Sequence, residues 1–329
     1  MVEKFSSGCF SKITGTGIYV PNQIITSTHL EESIGYTKER RIGWIKKVTG
    51  IEERRWCGPG EDMYTMAIHA ADAALRTAHL TTIDTLILAR SRYTDPRCPV
   101  SAGAIHQGLE KLGYEVNEVD YADGFFVCSG SLTALHEADL RIRAGEAKRV
   151  LVIASSVGSA FANFAHPQTA CLWGDGAGAM VIESSDYPGI LTYRGKGISK
   201  LWDSFQLRTS SEGKPYVEMN GRDVYQAVVS EVPQFIRETI QRINVSLDSV
   251  SLFLFHQANG RMLSLLCERL GISEEKTYNN VQCYGNTTCA SIPLVYHESL
   301  ERGLLKRGEI CLMASFGVGF HMNCMLYRN

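Results

Sequence analysis

Hydrophobic and polar positions change period repeatedly along the chain, and each change marks an element. Residues 13–20 alternate small and apolar side chains before Pro21 and predict a strand, and 27–35 predict a short helix that Thr or Ser could cap. Residues 63–80 carry apolar side chains at helical spacing, and 85–89 form a short apolar strand running into Arg90. After Pro99 another helix is expected, stopped by Gly113. A strand over 116–126 leads to Val127-Cys128-Ser129-Gly130 and a helix over 131–144. Residues 149–156 read as an apolar strand, and 172–183 turn tightly, through Gly174-Asp175-Gly176-Ala177-Gly178-Ala179, into another. From Gly189 the order restarts: a strand at 190–197, a long helix at 222–242, a strand at 252–255 and a helix at 260–270. A strand near Tyr278, a helix at 291–301 and strands at 310–316 and 320–327 complete it. Continuous apolar strands alternating with helices predict an α/β fold whose sheets are covered on both faces.

The restart can be tested by arithmetic. Gly145-Glu146-Ala147-Lys148-Arg149 precedes one apolar strand, and Gly303-Leu304-Leu305-Lys306-Arg307 precedes another. The glycines (303 − 145) and the lysines (306 − 148) are both 158 apart, and the same offset carries Cys128 to Asn286. A duplicated chain would put both at equivalent strand-to-helix turns. The expected division is 1–185, carrying Cys128, and 186–329, carrying His256 and Asn286.

Composition removes several classes of function. A formal net charge of −2 with 21% charged residues gives no basic surface for nucleic acid or an acidic membrane. No apolar run approaches the roughly 18 residues of a membrane span. The first residues lack a signal pattern, so a cytoplasmic protein is expected. The ten cysteines are scattered without a C-x-x-C pair or zinc spacing, which predicts no metal and mostly reduced, buried thiols.

Cys128 is the candidate with chemistry. A thiol at the first turn of a helix faces unpaired N–H groups and the positive end of the macrodipole, which stabilise a thiolate nucleophile. Phe255-His256-Gln257-Ala258-Asn259 closes an apolar strand with a histidine, and Asn286 sits in a Gly-Asn-Thr turn. Taken singly, each is more often structural. Together with Cys128 they offer two neutral donors for negative charge on a thioester enolate formed by loss of carbon dioxide. The motifs offer no acidic partner, which argues against a Cys/His/Asp hydrolase. The GDGAGA run lacks the Lys-Ser/Thr of a phosphate loop and is expected to be a tight structural turn. Phe316-Gly317-Val318-Gly319-Phe320 is a second glycine turn, where backbone N–H groups can approach a reacting carbonyl. The basic stretch 38–55 around Trp44 reads either as a solvated surface helix with a half-buried Trp or as an entrance for a phosphorylated or acidic partner.

These residues resemble the ketoacyl-acyl-carrier-protein synthase III family of the thiolase-like condensing enzymes. The resemblance spans nearly the whole chain: Thr49-Gly50-Ile51 with Arg54, Cys128-Ser129-Gly130, GDGAGA, Met219-Asn220-Gly221, His256-Gln257-Ala258-Asn259, Gly285-Asn286-Thr287 and Phe316-Gly317. It implies the duplicated five-layered α-β-α-β-α thiolase-like fold and a homodimer. It implies no metal or cofactor, with acyl thioesters of coenzyme A or acyl carrier protein as substrates and partners. By resemblance Cys128 takes the acyl starter, while His256 and Asn286 hold the carbonyl of a decarboxylating malonyl-type extender. The backbone N–H groups of Cys128 and Val318 match the oxyanion hole. Trp44 matches a tryptophan that packs on the coenzyme A adenine, Asn259 lies along the pantetheine channel, Arg261 matches a basic carrier-protein contact, and Phe316 matches an aromatic residue near the nucleophile.

Departures from the family pattern matter as well. Val48 and Pro167 stand where members carry arginines that grip coenzyme A, which makes a carrier-protein-bound donor more plausible; Lys46 and Lys47 could compensate. Cys98 replaces an aromatic residue that members lend across the dimer, so a roomier acyl pocket is expected. Arg90, Arg92 and Arg97 read as surface arginines or, if inward, as partners of a carboxylate-bearing starter. Residues 38–43 look longer than the family norm. The expected activity is decarboxylative Claisen condensation to a 3-oxoacyl thioester, in fatty-acid or secondary-metabolite biosynthesis. An acyltransferase that makes no carbon–carbon bond, or an inactive partner subunit of a heterodimeric condensing enzyme, are the alternatives.

Overall fold

The computed structural model describes residues 9–35, 41–91, 102–116, 118–125, 127–164, 166–211, 213 and 215–329. Chain order begins β1 (Phe10–Tyr19), β2 (Gln23–Thr26), α1 (Ser27–Ser33), α2 (Trp44–Thr49), β3 (Glu53–Trp56), α3 (Met63–Ala78) and β4 (Thr85–Arg90). It continues α4 (Ala102–Lys111), β5 (Asp120–Phe125), α5 (Gly130–Ala144), β6 (Arg149–Val157), α6 (Pro167–Ala170) and β7 (Asp175–Ser185). Then follow β8 (Ile190–Gly197), β9 (Phe205–Thr209), β10 (Pro215–Met219), α7 (Gly221–Gln241), β11 (Leu252–Phe255) and α8 (Gly260–Leu270). The last are α9 (Val281–Tyr284), α10 (Ser291–Glu301), β12 (Ile310–Gly317) and β13 (His321–Arg328).

One sheet has the order β1-β7-β6-β4-β5 and the other β11-β12-β13-β8. In the first, β4 runs parallel to β5 and β6, and β7 returns antiparallel between β6 and β1. The second repeats this grammar: β11 is parallel to β12, and β13 returns antiparallel between β12 and β8. Strand β4 shows why layers form. Leu86 and Leu88 face one core while Ile87 and Ala89 face another, so both sides of the sheet must be covered. Helices α3 and α4 cover the outer face through Met66, Leu75, Ile105 and Leu109. Helices α7 and α8 cover the far face of the second sheet through Val232, Phe235, Leu263 and Leu266, packed with Phe253, Phe255 and Leu312. Between the sheets lie α5 and α10. Their Leu132, Leu135, Ile292, Val295 and Tyr296 share one core with Val150 and Val152 of the first sheet and Leu254 and Met313 of the second. This is the expected α-β-α-β-α stack.

Three expectations need correction. The GDGAGA run is no turn: Asp175 to Ala179 open β7 and pair with both β1 and β6. Its glycines serve a close approach instead, because a Cβ on Gly178 would lie 2.4 Å from Cβ of Pro293 at the start of α10. No strand forms at Tyr278. A single parallel bridge, Phe253 to Thr277, marks the place that β5 occupies in the first sheet. The Gln257 side chain takes the N–H groups of Asn280 and Val281 (3.0 and 3.1 Å) that a ladder would have used. The offset of 158 also holds only at the helix ends. The left-handed glycines that follow the two helices, Gly145 (φ 78°) and Gly303 (φ 67°), obey it, but the left-handed residues that open the two turns, Val127 (φ 47°) and Thr288 (φ 52°), are 288 − 127 = 161 apart. Helix α5 has 15 residues and α10 only 11, so the register slips along the helix. The turn partner of Cys128 is therefore Cys289, and Asn286 stands two residues before the equivalent left-handed position. The polar-looking segments 23–26, 53–56, 205–209 and 215–219 form two antiparallel pairs, β2 with β3 and β9 with β10, that the pattern did not reveal.

Candidate active site

Cys128 sits in a short 3₁₀ turn, Val127–Ser129, that feeds directly into α5. Val127 is β-branched with φ 47°, a conformation held only because the surroundings fix it. Part of that fixing comes from beneath: Nδ2 of buried Asn323 donates to the Ser129 carbonyl (3.0 Å), and the Ser129 hydroxyl meets Nδ1 of His321 (3.1 Å). Cys128 is 4% exposed and lines a cavity of ≈ 210 Å³.

His256, Asn286, Phe316, Trp44 and Asn259 line the same cavity, so six of the eight expected site residues meet there. His256 follows β11, is 1% exposed, and has Nδ1 2.6 Å from the Ser291 hydroxyl. The Phe316 ring stands edge-on to the imidazole, with centroids 5.8 Å apart. Burial without a charged partner pulls the His256 pKa down to about 3, so the ring is neutral across the physiological range. Asn286 Oδ1 accepts the Thr288 N–H (2.9 Å), which leaves the amide NH₂ to serve the cavity. The Asn286 backbone is stitched to the opposite wall, its N–H donating to Leu172 O (2.7 Å) and its carbonyl accepting from Gly174 (3.1 Å). Gly317 closes the floor: a Cβ there would fall 2.6 Å from Cβ of Cys128 and 3.0 Å from its sulfur. That contact brings the 3₁₀ turn beginning at Val318 next to the thiol.

Trp44 opens α2, whose first N–H groups are held by the buried Glu31 carboxylate at Gly43 (2.7 Å) and Ile45 (2.6 Å). The Trp is half-buried at the cavity mouth beside Val48. Both readings of the basic stretch therefore describe part of it, but Arg54 is neither surface nor entrance. It is wholly buried, donates to Ile25 O, Ser27 Oγ and Cys171 O (3.2, 3.1 and 2.8 Å), and burial lowers its pKa to about 10. Asn259 caps α8, accepting from the N–H of Arg261 (2.8 Å). Arg261 lies outside the cavity on the surface, where its Nε donates to the Lys47 carbonyl (3.0 Å) and ties α8 to α2. Arg90 is paired with Asp123 (2.7 Å), its side chain is 11% exposed, and it is not among the residues that line the cavity. Arg92, Arg97 and Cys98, and residues 38–40, fall outside the described residues.

Sequence reasoning missed the residues that complete the walls. Phe205 and Met219 come from the β9/β10 pair, and Leu172 and Trp173 from the segment after α6. Ser291 was missed too, although a serine opening a helix five residues after Asn286 was there to be noticed. Among the described residues that line the cavity none is charged. Among the described residues no cluster of three or more His, Cys, Asp or Glu could hold a metal ion, and no helix is long and apolar enough to cross a membrane.

The family model for 3-oxoacyl-[acyl-carrier-protein] synthase III matches residues 123–196, and its C-terminal counterpart matches 240–329. A β-ketoacyl-[acyl-carrier-protein] synthase III from Aquifex aeolicus (strain VF5) is 36% identical over 321 residues, covering 97% of this chain and 99% of the relative. The chain belongs to the 3-oxoacyl-[acyl-carrier-protein] synthase III family. The crystal structure of the Aquifex aeolicus synthase III superposes with a TM-score of 0.85 at 35% identity, covering 97% of this chain and 100% of that one. The priming β-ketosynthase of the R1128 polyketide pathway superposes with a TM-score of 0.87 at 26% identity, covering 100% and 98%. Against this synthase III background, Val48 lines the mouth of the cavity and Pro167 starts α6, one residue before the cavity-lining Gln168.

Proposed function

We propose that this synthase III condenses a Cys128-bound acyl starter with a malonyl thioester of acyl carrier protein, releasing carbon dioxide and giving a 3-oxoacyl thioester for fatty-acid or related chain initiation. One observation carries the reading: a single cavity gathers the only slightly exposed Cys128 with a neutral His256 and an oriented Asn286. In the first half-reaction the Cys128 thiolate attacks the starter thioester. The tetrahedral oxyanion is held by the N–H groups of Cys128 and Val318, and the donor's C–S bond breaks. In the second, His256 and Asn286 donate hydrogen bonds to the malonyl thioester carbonyl. The bond to the carboxylate breaks, carbon dioxide leaves, and the electron pair becomes the enolate. The enolate carbon then attacks the Cys128 thioester; a C–C bond forms, the C–S bond breaks and the thiolate is restored.

A histidine whose pKa has been pulled to about 3 is suited to donate a hydrogen bond and unsuited to deliver a proton as an acid, which supports this division of labour. The uncharged cavity lining supports an uncharged starter delivered on a pantetheine arm, with Trp44 and Asn259 along its path and Arg261 at the surface for a carrier protein. The reading includes a cytoplasmic homodimer and a division into 1–185, with the nucleophile, and 186–329, with the two donors; the repeated strand order of the two sheets supports that division.

His256→Ala and Asn286→Ala should leave Cys128 acylation intact, seen by intact-protein mass, and lower condensation by roughly 10²–10³-fold each. Wild-type rates of carbon dioxide release and product formation in both variants would overturn the reading.

A further inference from the structure

We infer that Ser291 is a positioning residue that fixes the tautomer of His256. The inference rests on the donor role proposed for that histidine. A neutral imidazole carries one proton, and which nitrogen holds it is decided by the partner of the other. Nδ1 of His256 has the Ser291 hydroxyl at 2.6 Å, both side chains being buried to within 1%. The same oxygen also receives the Gln257 N–H at 3.4 Å.

That second contact breaks the symmetry of the first. A backbone N–H can only donate, so one lone pair of the Ser291 oxygen is engaged, and its own hydrogen is available for Nδ1. The reverse arrangement, Nδ1–H donating to the serine, would load the oxygen with two incoming hydrogens and leave the hydroxyl hydrogen in a closed interior without an acceptor among the described residues. The chain Gln257 N–H to Ser291 O–H to Nδ1 therefore places the imidazole proton on Nε2. That nitrogen is the one left for the cavity, and its N–H can donate to a developing enolate oxygen; in the other tautomer a lone pair would meet that oxygen and repel it. Ser291 touches no reacting atom. It acts through His256 from the first residue of α10, five residues after Asn286, so one short segment orients both donors.

Two measurements test this. Long-range ¹H–¹⁵N correlation of the His256 ring in the unliganded wild-type enzyme should show a protonated Nε2 and an unprotonated Nδ1; a protonated Nδ1 overturns the inference whatever the role of His256. Ser291→Ala should acylate Cys128 at the wild-type rate, with the KM for the malonyl thioester within about threefold and kcat for decarboxylation lowered at least tenfold. Ser291→Thr, which keeps the hydroxyl, should recover most of that loss. A Ser291→Ala enzyme with wild-type decarboxylation overturns the inference, while the separate behaviour of His256→Ala decides the reading on which it rests.

Discussion

The turns that open α5 and α10 are built alike and used differently. Each starts with a β-branched residue in the left-handed region, Val127 or Thr288, passes through a 3₁₀ turn with a cysteine in the middle, and enters a helix between the two sheets. Cys128 reaches the cavity. Cys289 is wholly enclosed, its sulfur 3.6 Å from the carbonyls of Ala89 and Ser155, and burial pushes its pKa up to about 12. The second turn instead contributes flanking residues, Asn286 before the cysteine and Ser291 after it, which face the substrate or the histidine. The same backbone device thus supplies a nucleophile in one copy and holders of the second substrate in the other. What separates them is whether the thiol opens onto space or onto carbonyls.

The largest effect should come from exchanging the two cysteines for alanine. Cys128→Ala should abolish the acyl adduct, whereas Cys289→Ala should acylate within about twofold of wild type and lose stability by about 1–2 kcal/mol in denaturant unfolding. An acyl group on the Cys128→Ala protein would break the comparison. The next effect isolates the open space. Gly317→Ala puts a carbon 2.6 Å from Cys128 Cβ, so acylation should fall by about 10–100-fold through displacement of the thiol, with about 1–3 kcal/mol of destabilisation. An unchanged rate of thiol alkylation and acylation in that variant would mean that Gly317 does not constrain the nucleophile.

The remaining effect concerns pH. His256 has a folded pKa of about 3 against an ordinary value of 6.5, so its contribution to stability is fully present above about pH 6.5. Below that the unfolded chain binds a proton that the folded one refuses, and stability falls by up to about 1.4 kcal/mol per pH unit as the pH drops toward 3. His256→Gln should remove this component from urea-unfolding curves measured across pH 4–7. Identical pH slopes for the two proteins would show that the imidazole does take up a proton in the folded state.

Continuous apolar runs and helical periodicity were legible in the sequence: 252–255, 260–270 and 291–301 coincide with β11, α8 and α10. Apolar runs bounded by Gly, Pro or a polar cap leave few alternatives there. The short polar pairs β2/β3 and β9/β10 were not, because Gln23, Arg55, Gln206 and Arg208 carry no strand-like alternation and are held by pairing alone. Cys128, His256 and Asn286 were identifiable from their motifs, and the cavity brings them together. Ser291 escaped because serine at a helix start is ordinary capping chemistry until the position of a buried histidine is known. The 158-residue spacing misled for a related reason: a constant offset assumes helices of equal length, and α10 is the shorter by four residues (15 − 11).

The placement of α5 and α10 between the sheets also sets which parts of the molecule open first. Both helices are packed on two sides by strands, so exposing the starts of either one requires separating the layers, which approaches global unfolding. The walls at the mouth are different in kind: α2 has six residues and β9/β10 is an isolated two-stranded ribbon whose Leu207 is 55% exposed. Slow amide exchange is expected at the floor and fast exchange at the rim. The chemistry is housed in the last region to open, and the doorway in one of the first.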